Sequence, residues 1–416
     1  MTGSVQVATN AASGKTASIP MTAESLQVYY EQLTRDSDNL SIAARRQYLE
    51  ATSSGSIQQT KNNLRLRDES KELIVRLHQG RTVTYGENVQ LSHSELELLR
   101  TPLVSIHLER VLPTTPVKQG ETWQLTPASM SSLFDLNTVD RAEVSGRLAS
   151  FDNGQAKLEF TGSLDGMIDG VSTKLNFAAK ALYDRQQRVI TWMAMSLNEK
   201  RMTGKAEPGF DVSAQIRMLR KPVTGDEVSF PSQPLVLSEP IPPARLMAEL
   251  RGGAGFTALG DRSWKIVSDS PKLTVLRMVR QDKVIGQCEF RSLAKFNAGE
   301  QLTLEAFQED VRTALGKQFG EFLNAEEQAS ELGVRTIRCT VAGVVQEVPV
   351  LWSYQHFSDD HGRRIAATCT LDAKNVEEFA QADAQLAASF QFKSSESPTS
   401  NPEATKQATI NGQSLR

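Results

Sequence analysis

Three short stretches of this chain hold side chains or spacings that could do chemistry. "HFSDDHG", His356 to Gly362, gathers His356 and His361 with Asp359 and Asp360, the ligand types of a zinc site. "LDGMIDGV", Leu164 to Val171, sets Asp165 and Asp169 beside glycines, as a calcium loop would. "GAGFTA", Gly253 to Ala258, formally matches the glycine spacing of a dinucleotide fingerprint. Context speaks against each. A calcium loop closes on a glutamate, and here Asp165 and Asp169 are followed only by Ser172 and Thr173. The fingerprint needs a strand before it and a helix after it, whereas "PARLMAEL" before it reads as helix and Leu259-Gly260-Asp261 after it as a turn. "HFSDDHG" lies between two strand patterns and reads as a hairpin tip, where Asp, His and Gly gather because they tolerate turns and water. His78, His93 and His107 are scattered, and no P-loop, nucleophile elbow or paired-histidine helix motif occurs. No catalytic, cofactor-binding or metal-ligating residue is assigned and no cofactor is expected. Metal binding by His356 and His361 stays open.

The elements around these stretches are read from periodicity. Residues 23–34 read as a short amphipathic helix, and 39–60 are ambiguous. From about 64 the period switches to two, as in "KELIVRL" and "RTVTYG", with a turn at His78-Gln79-Gly80 between them. "SHSELELLRTP" reads as a short helix with Ser94 as N-cap, and "LVSIHLERVLP" alternates through Val104, Ile106 and Leu108. After a short helix near 128–134 come five long strand patterns, near 138–150, 155–168, 171–184, 188–200 and 208–219. Asn153-Gly154 is a strong hairpin signal, and Asp169-Gly170 sits where the parity of apolar positions must reverse. The two aspartates of "LDGMIDGV" are therefore expected to serve a turn.

Six prolines between Pro222 and Pro243, followed by glycines, read as a linker over 223–261. Beyond it "WKIVSD", "KLTVLRMVR" and "KVIGQCEF" read as strands. Leu304, Phe307, Val311, Leu315, Phe319 and Phe322 form one helical stripe, with Thr303 as its cap. Three more strands and a closing helix over 374–390 follow. Trp123, Trp192, Trp264 and Trp352 sit mostly in strand patterns and read as core. Trp352 shares a strand face with Val350 and Tyr354, with Phe307, Val311 and Leu315 as its expected partners.

Composition excludes several classes. With 416 residues, 39% apolar and 23% charged, the chain reads as a globular protein of more than one domain. A net charge of −3 gives no reason to expect nucleic acid, and no apolar run is long enough for a transmembrane helix. Cys288, Cys339 and Cys369 all lie in strand patterns. They read as small buried hydrophobes, with a single bridge between two of them as the alternative. Residues 1–22 lack a basic start and an apolar stretch, so they read as a disordered leader. Export with a signal lying upstream and a cytoplasmic location both fit.

The second half resembles the PsbP and Mog1-like α/β/α fold, carried by "SWKIVSD", "SLAKFNAGEQLTLEAFQEDV", "VPVLWSYQHF" and "GRRIAATCTL". That resemblance implies a non-enzymatic binding or assembly role. The first half, with "HSELELLRTP", "VKQGETWQL" and "DGMIDGVST", resembles an uncharacterised family of exported bacterial proteins, which implies no site.

The expected fold class is α+β: an N-terminal antiparallel β-meander domain with short helices, then a C-terminal antiparallel sheet flanked by two helices. The expected domains are a disordered leader 1–22, a meander domain 23–222, a linker 223–261, a PsbP/Mog1-like domain 262–392 and a disordered tail 393–416. The expected function is a non-catalytic bacterial binding or scaffold protein, exported to the periplasm or envelope, with a protein partner. Two further readings are a carrier of an apolar ligand on the curved first sheet and, last, a hydrolase at the domain junction. A filled sheet face favours the scaffold and an apolar cavity favours the carrier.

Overall fold

The computed structural model describes residues 1–10, 15–38, 40–223, 228, 230–231, 235, 237, 240–297, 299–330 and 333–393. The tail expected from 393 falls, beyond Lys393, outside these residues. Two compact units are present: 1–89 with 94–245, and 90–93 with 246 onward.

The first run of elements is β1 (Thr2–Asn10), β2 (Lys15–Arg35), β3 (Ser41–Ile57), β4 (Thr60–Arg65), β5 (Glu72–His78), β6 (Arg81–Tyr85), β7 (Leu91–Ser92) and α1 (His93–Leu99). Then come β8 (Thr122–Gln124), α2 (Pro127–Phe134), β9 (Thr138–Asp152), β10 (Gln155–Ile168), β11 (Val171–Asp184), β12 (Val189–Arg201) and β13 (Gly209–Leu219). All these strands except β7 form one twelve-stranded antiparallel sheet, β6-β5-β3-β2-β1-β13-β12-β11-β10-β9-β8, with β4 beside β3. The five long meander strands stand where alternation placed them. Asn153-Gly154 and Asp169-Gly170 turn two of the hairpins at positive φ, 48° and 79°, then 51° and 83°, as a two-residue hairpin loop with this twist requires. The inward faces of β9 to β12, including Phe160, Phe177 and Met195, pack on Met130 and Leu133 of α2. Thr126 caps that helix by accepting the Ser129 N–H.

Local propensity misleads at three places in this unit. Residues 2–10 and 15–22 are strand rather than disordered leader, because their main chain pairs with β13 and with each other. Residues 23–34 lie in β2, not in a helix: Val28, Tyr29 and Tyr30 favour strands, and the ladder to β3 runs from Met21 to Arg35. Ser105–Val111 is a 3₁₀ segment, buried at every residue except Arg110, so the alternation of Val104, Ile106 and Leu108 signalled burial but not a strand.

The second unit adds β14 (Met247–Gly252), β15 (Phe256–Asp261), β16 (Trp264–Asp269), β17 (Leu273–Arg280), β18 (Lys283–Ser292), α3 (Leu304–Leu315), β19 (Phe319–Ala329) and β20 (Arg335–Val345). It ends with β21 (Val348–Ser358), β22 (Arg364–Asp372), α4 (Val376–Phe379), α5 (Ala382–Ala388) and β23 (Gln391–Phe392). A seven-stranded antiparallel sheet, β16-β17-β18-β22-β21-β20-β19, stands beside a four-stranded one, β23-β15-β14-β7. Helix α3 covers part of the larger sheet: Phe307, Val311 and Leu315 pack on Ile337, Cys339, Val341 and Trp352. A separate core joins Phe290 and Phe357 of that sheet to Phe256 of β15, Leu386 of α5 and Phe390. The chain is α+β and mostly β.

Here too the helices are shorter than the pattern predicts. Helix α3 stops at Leu315 because Gly316 takes φ 51°, and Phe319 and Phe322 belong to β19. The closing helix breaks at Ala380 and Gln381, both left-handed. The expected linker holds β14 and β15, so the compact second unit begins before residue 262. Cys288 and Cys369 face each other across β18 and β22 and are bridged, while Cys339 is free and buried.

Two outcomes follow from these contacts. Trp352→Ala should destabilise the second unit by about 3–5 kcal/mol, read as a shifted urea midpoint, because a large buried side chain is lost; unchanged stability would place Trp352 outside the core. Thiol titration in denaturant should find one reactive thiol per chain before reduction and three after it. Three before reduction would remove the bridge.

Candidate functional site

In the first unit β1 lies between β2 and β13, but only at one end. It pairs with β13 from Thr2 opposite Ser213 to Gln6 opposite Gly209. Along β2 its ladder reaches Thr22, and Met1 closes it by exchanging hydrogen bonds with Ala23. Beyond these points, β13 from Ala214 to Leu219 pairs only with β12, and β2 from Glu24 onward pairs only with β3, among the described residues. A strand edge without a partner carries main-chain donors and acceptors. Between these two edges lies a cavity of about 2020 Å³. Consecutive residues line it, Thr22 to Leu33 on one side and Ala214 to Val223 on the other. A sheet face would contribute alternate residues, whereas a strand edge contributes all of them.

The inward rows are mixed. Ile216 and Met218 are half-buried against the core. Opposite them stand Ser25, Gln27 and Tyr29, and Gln27 donates to the Leu98 carbonyl at 2.9 Å. Large apolar groups also stand exposed along both strands: Leu26 at 50%, Val28 at 40% and Leu219 at 64%.

A buried charge network closes the far end. Glu31 Oε1 accepts from Arg46 Nε at 2.9 Å and from the Ser105 hydroxyl at 2.5 Å. Arg46 also donates to Tyr48 at 3.2 Å and lies 4.4 Å from the centre of the Tyr29 ring. Burial works against the Arg46 charge, but Tyr48, Tyr29 and Glu31 outweigh it, and its pKa stands above the ordinary value. Burial raises the Tyr48 phenol against the pull of Arg46. Just past the end of β13, Arg220 Nη1 donates to Glu109 at 2.7 Å, and the same oxygen accepts the Ile190 N–H at 3.1 Å. Arg220 Nη2 then stands 4.0 Å from Glu31 Oε2, so one Glu and one Arg side chain span the gap. The charges of Glu31, Arg46, Glu109 and Arg220 cancel, and the arrangement fixes strand separation more than it offers an acid or base.

The stretches singled out from sequence are dispersed. Asp169 pairs with Arg100 at 2.9 Å and its N–H donates to Asn137; Asp165 stands mid-strand opposite Lys174 at 3.5 Å. "GAGFTA" is the turn between β14 and β15 and the first residues of β15. In "HFSDDHG", His356 is buried in β21 and accepts from Arg364 at 3.0 Å, whereas His361 is exposed at the tip, where Asp359 accepts its N–H. Among the described residues no three His, Cys, Asp or Glu side chains gather in a group able to hold a metal. Trp264 and Trp352 are buried, and Trp123 packs on the first core. Sequence reading missed Glu31, Arg46, Ser105, Glu109 and Arg220. The one signal was "RR" at Arg45-Arg46 inside a stretch of small residues, an odd place for a charge that faces inward.

No family model and no curated protein matches the chain. Among solved structures, part of it is similar to cyanobacterial PsbP (CyanoP) from Synechocystis sp. PCC 6803, at 16% identity and TM-score 0.27, covering 38% of this chain and 99% of that one. Part is similar to a crystal structure from Bacteroides thetaiotaomicron VPI-5482, at 11% identity and TM-score 0.25, covering 35% of this chain and 47%, about half, of that one. The PsbP-like resemblance concerns the fold alone.

Two buried histidines set an expected pH dependence. His107, bonded through Nε2 to the Thr82 hydroxyl at 2.7 Å, is pushed down to about 4 by burial and then by Arg110 and Arg46. His356 is pushed down to about 4 by burial and then by Arg364 and Arg335. Each stays neutral in the fold but takes a proton in the unfolded chain below about pH 6.5. Their contribution is therefore complete above that pH and is lost as pH falls toward 4, by up to about 1.4 kcal/mol per pH unit for each. Urea midpoints between about pH 6.5 and 5 should fall in the native protein and fall less in His107→Gln and His356→Gln. Equal slopes in all three would assign the dependence elsewhere.

Proposed function

We propose that the protein is a non-catalytic binding module that holds an apolar ligand in the cleft between β2 and β13. The cleft itself carries this reading: about 2020 Å³, well above the roughly 300–1,000 Å³ of ordinary small-molecule sites. The rest of the same sheet face is filled by α2 and the 3₁₀ segment, so the opening is local. Of the readings open from the sequence, a carrier gains most from this, and a pure scaffold least. The polar groups at the end of the cleft are bound to one another, which favours holding a ligand over transforming it. The Cys288–Cys369 bridge supports an exported bacterial protein that matures in an oxidising compartment.

N-phenyl-1-naphthylamine, which fluoresces in apolar surroundings, tests the proposal. The full chain should bind it saturably, and Ile216→Arg should weaken binding at least about tenfold, since a charge placed in an apolar lining must be desolvated. The variant's melting curve must match the parent's. An unbound probe, or equal binding by a folded variant, would overturn the proposal.

A further inference from the structure

We infer that the outward face of the meander, across β9 to β12, binds an uncharged, extended oligosaccharide. The site is separate from the cleft and does not depend on it. Three observations carry it. The first is the order of side chains on that face. Alternate residues of each strand point away from the core, and the register lines them up in rows across the sheet. Arg141, Asp165, Lys174, Lys200 and Asp211 form one charged row. Arg147, Glu159, Lys180, Ala194 and Arg217 form another, charged everywhere except at Ala194. Between them lie two rows of short neutral groups. One runs Ser163, Asn176, Asn198 and Ser213, with Glu143 at its end, and the other runs Ser145, Thr161, Ala178, Ser196 and Gln215. Short side chains between long ones leave a trough. A depression of 410 Å³ opens in it against Glu143, Thr161, Ser163, Asn176, Ser196 and Asn198.

The second observation is hydrogen-bonding capacity. Thr161, Ser163 and Asn176 make no side-chain hydrogen bond among the described residues. Ser213 donates to Asn198 Oδ1 at 2.6 Å, which leaves the Asn198 amide donors unused. Hydroxyl and amide groups both donate and accept, as sugar hydroxyls do, and carry no charge that would need a counterion. The flanking charges are partly neutralised within their own rows, Arg147 by Glu159 at 3.4 Å and Lys174 by Asp165 at 3.5 Å.

The third is an aromatic platform. Trp123, Trp264 and Trp352 belong to apolar cores, whereas Trp192 lies outside the described ones. It stands half-buried on the outward face of β12, between Leu182 and Leu219. Ala194, Ser196 and Asn198 follow it on the same face, so the one gap in the charged row leads from the indole into the trough. An indole face packs the C–H side of a pyranose ring and leaves the ring hydroxyls to polar neighbours. From Trp192 to Asn198 the strand advances about 20 Å, which suits a short extended oligosaccharide and exceeds a single sugar. A protein partner would bring an apolar interface core, and the two neutral rows offer it no large apolar side chain.

The test titrates the full chain, by calorimetry, with cellohexaose and chitohexaose, two uncharged extended oligosaccharides, and with hexagalacturonate as the charged comparison. At least one uncharged hexamer should bind saturably, and hexagalacturonate at least about tenfold more weakly. Trp192→Ala should weaken the uncharged hexamer at least about tenfold by removing the platform, and Asn176→Arg should do so by filling the trough with a charge. Asn176 is exposed, so its replacement leaves the core untouched, and either variant decides once its melting curve matches the parent's. The inference fails if neither uncharged hexamer binds at millimolar concentration, if hexagalacturonate binds as tightly, or if a folded variant binds as the parent does.

Discussion

Main-chain pairing through β1 is the constraint on which the first unit depends. A central strand must satisfy donors and acceptors on both sides, and β1 alone joins the β2–β3–β5–β6 half of the sheet to the β13–β8 half. Its ladder with β13 runs only from Thr2 to Gln6. Past that ladder, side chains meet across the gap: Glu31 of β2 with Arg46 of β3 and Ser105 of the 3₁₀ segment, and Arg220, just after β13, with Glu109 of the same 3₁₀ segment. Buried ion pairs add little net stability, because desolvation offsets their attraction, yet removing one partner costs about 3–5 kcal/mol. Such a network is well suited to setting a distance. Among the described residues β1 joins the two halves at one end of the cleft, and these side chains approach across the other.

The second unit solves the same problem differently. Helix α3 seals Trp352 and its neighbours. Phe290, Phe357 and Phe390 stack with Phe256 in a separate core, with Phe357 and Phe390 centred 3.8 Å apart. Close stacking with a covalent bridge from Cys288 to Cys369 leaves little adaptable space.

Legibility in the sequence followed the range of the interactions. The meander from β9 to β13 was readable because each hairpin is local and each strand alternates over eleven residues or more. Asp169-Gly170 was readable as a turn because positive φ is a property of two adjacent residues. Strands β1 and β2 were not. Their polar, small residues carry no period, and they are strands because of partners as distant in sequence as Phe210 and Val212. The candidate site was invisible for the same reason. Glu31 looked like the polar face of a helix, and only the ladder of β2 on β3 brings it to Arg46. Helix α3 was legible in its stripe but not in its end, because the spacing of Phe319 and Phe322 continues a helical pattern after Gly316 has broken the chain away from it.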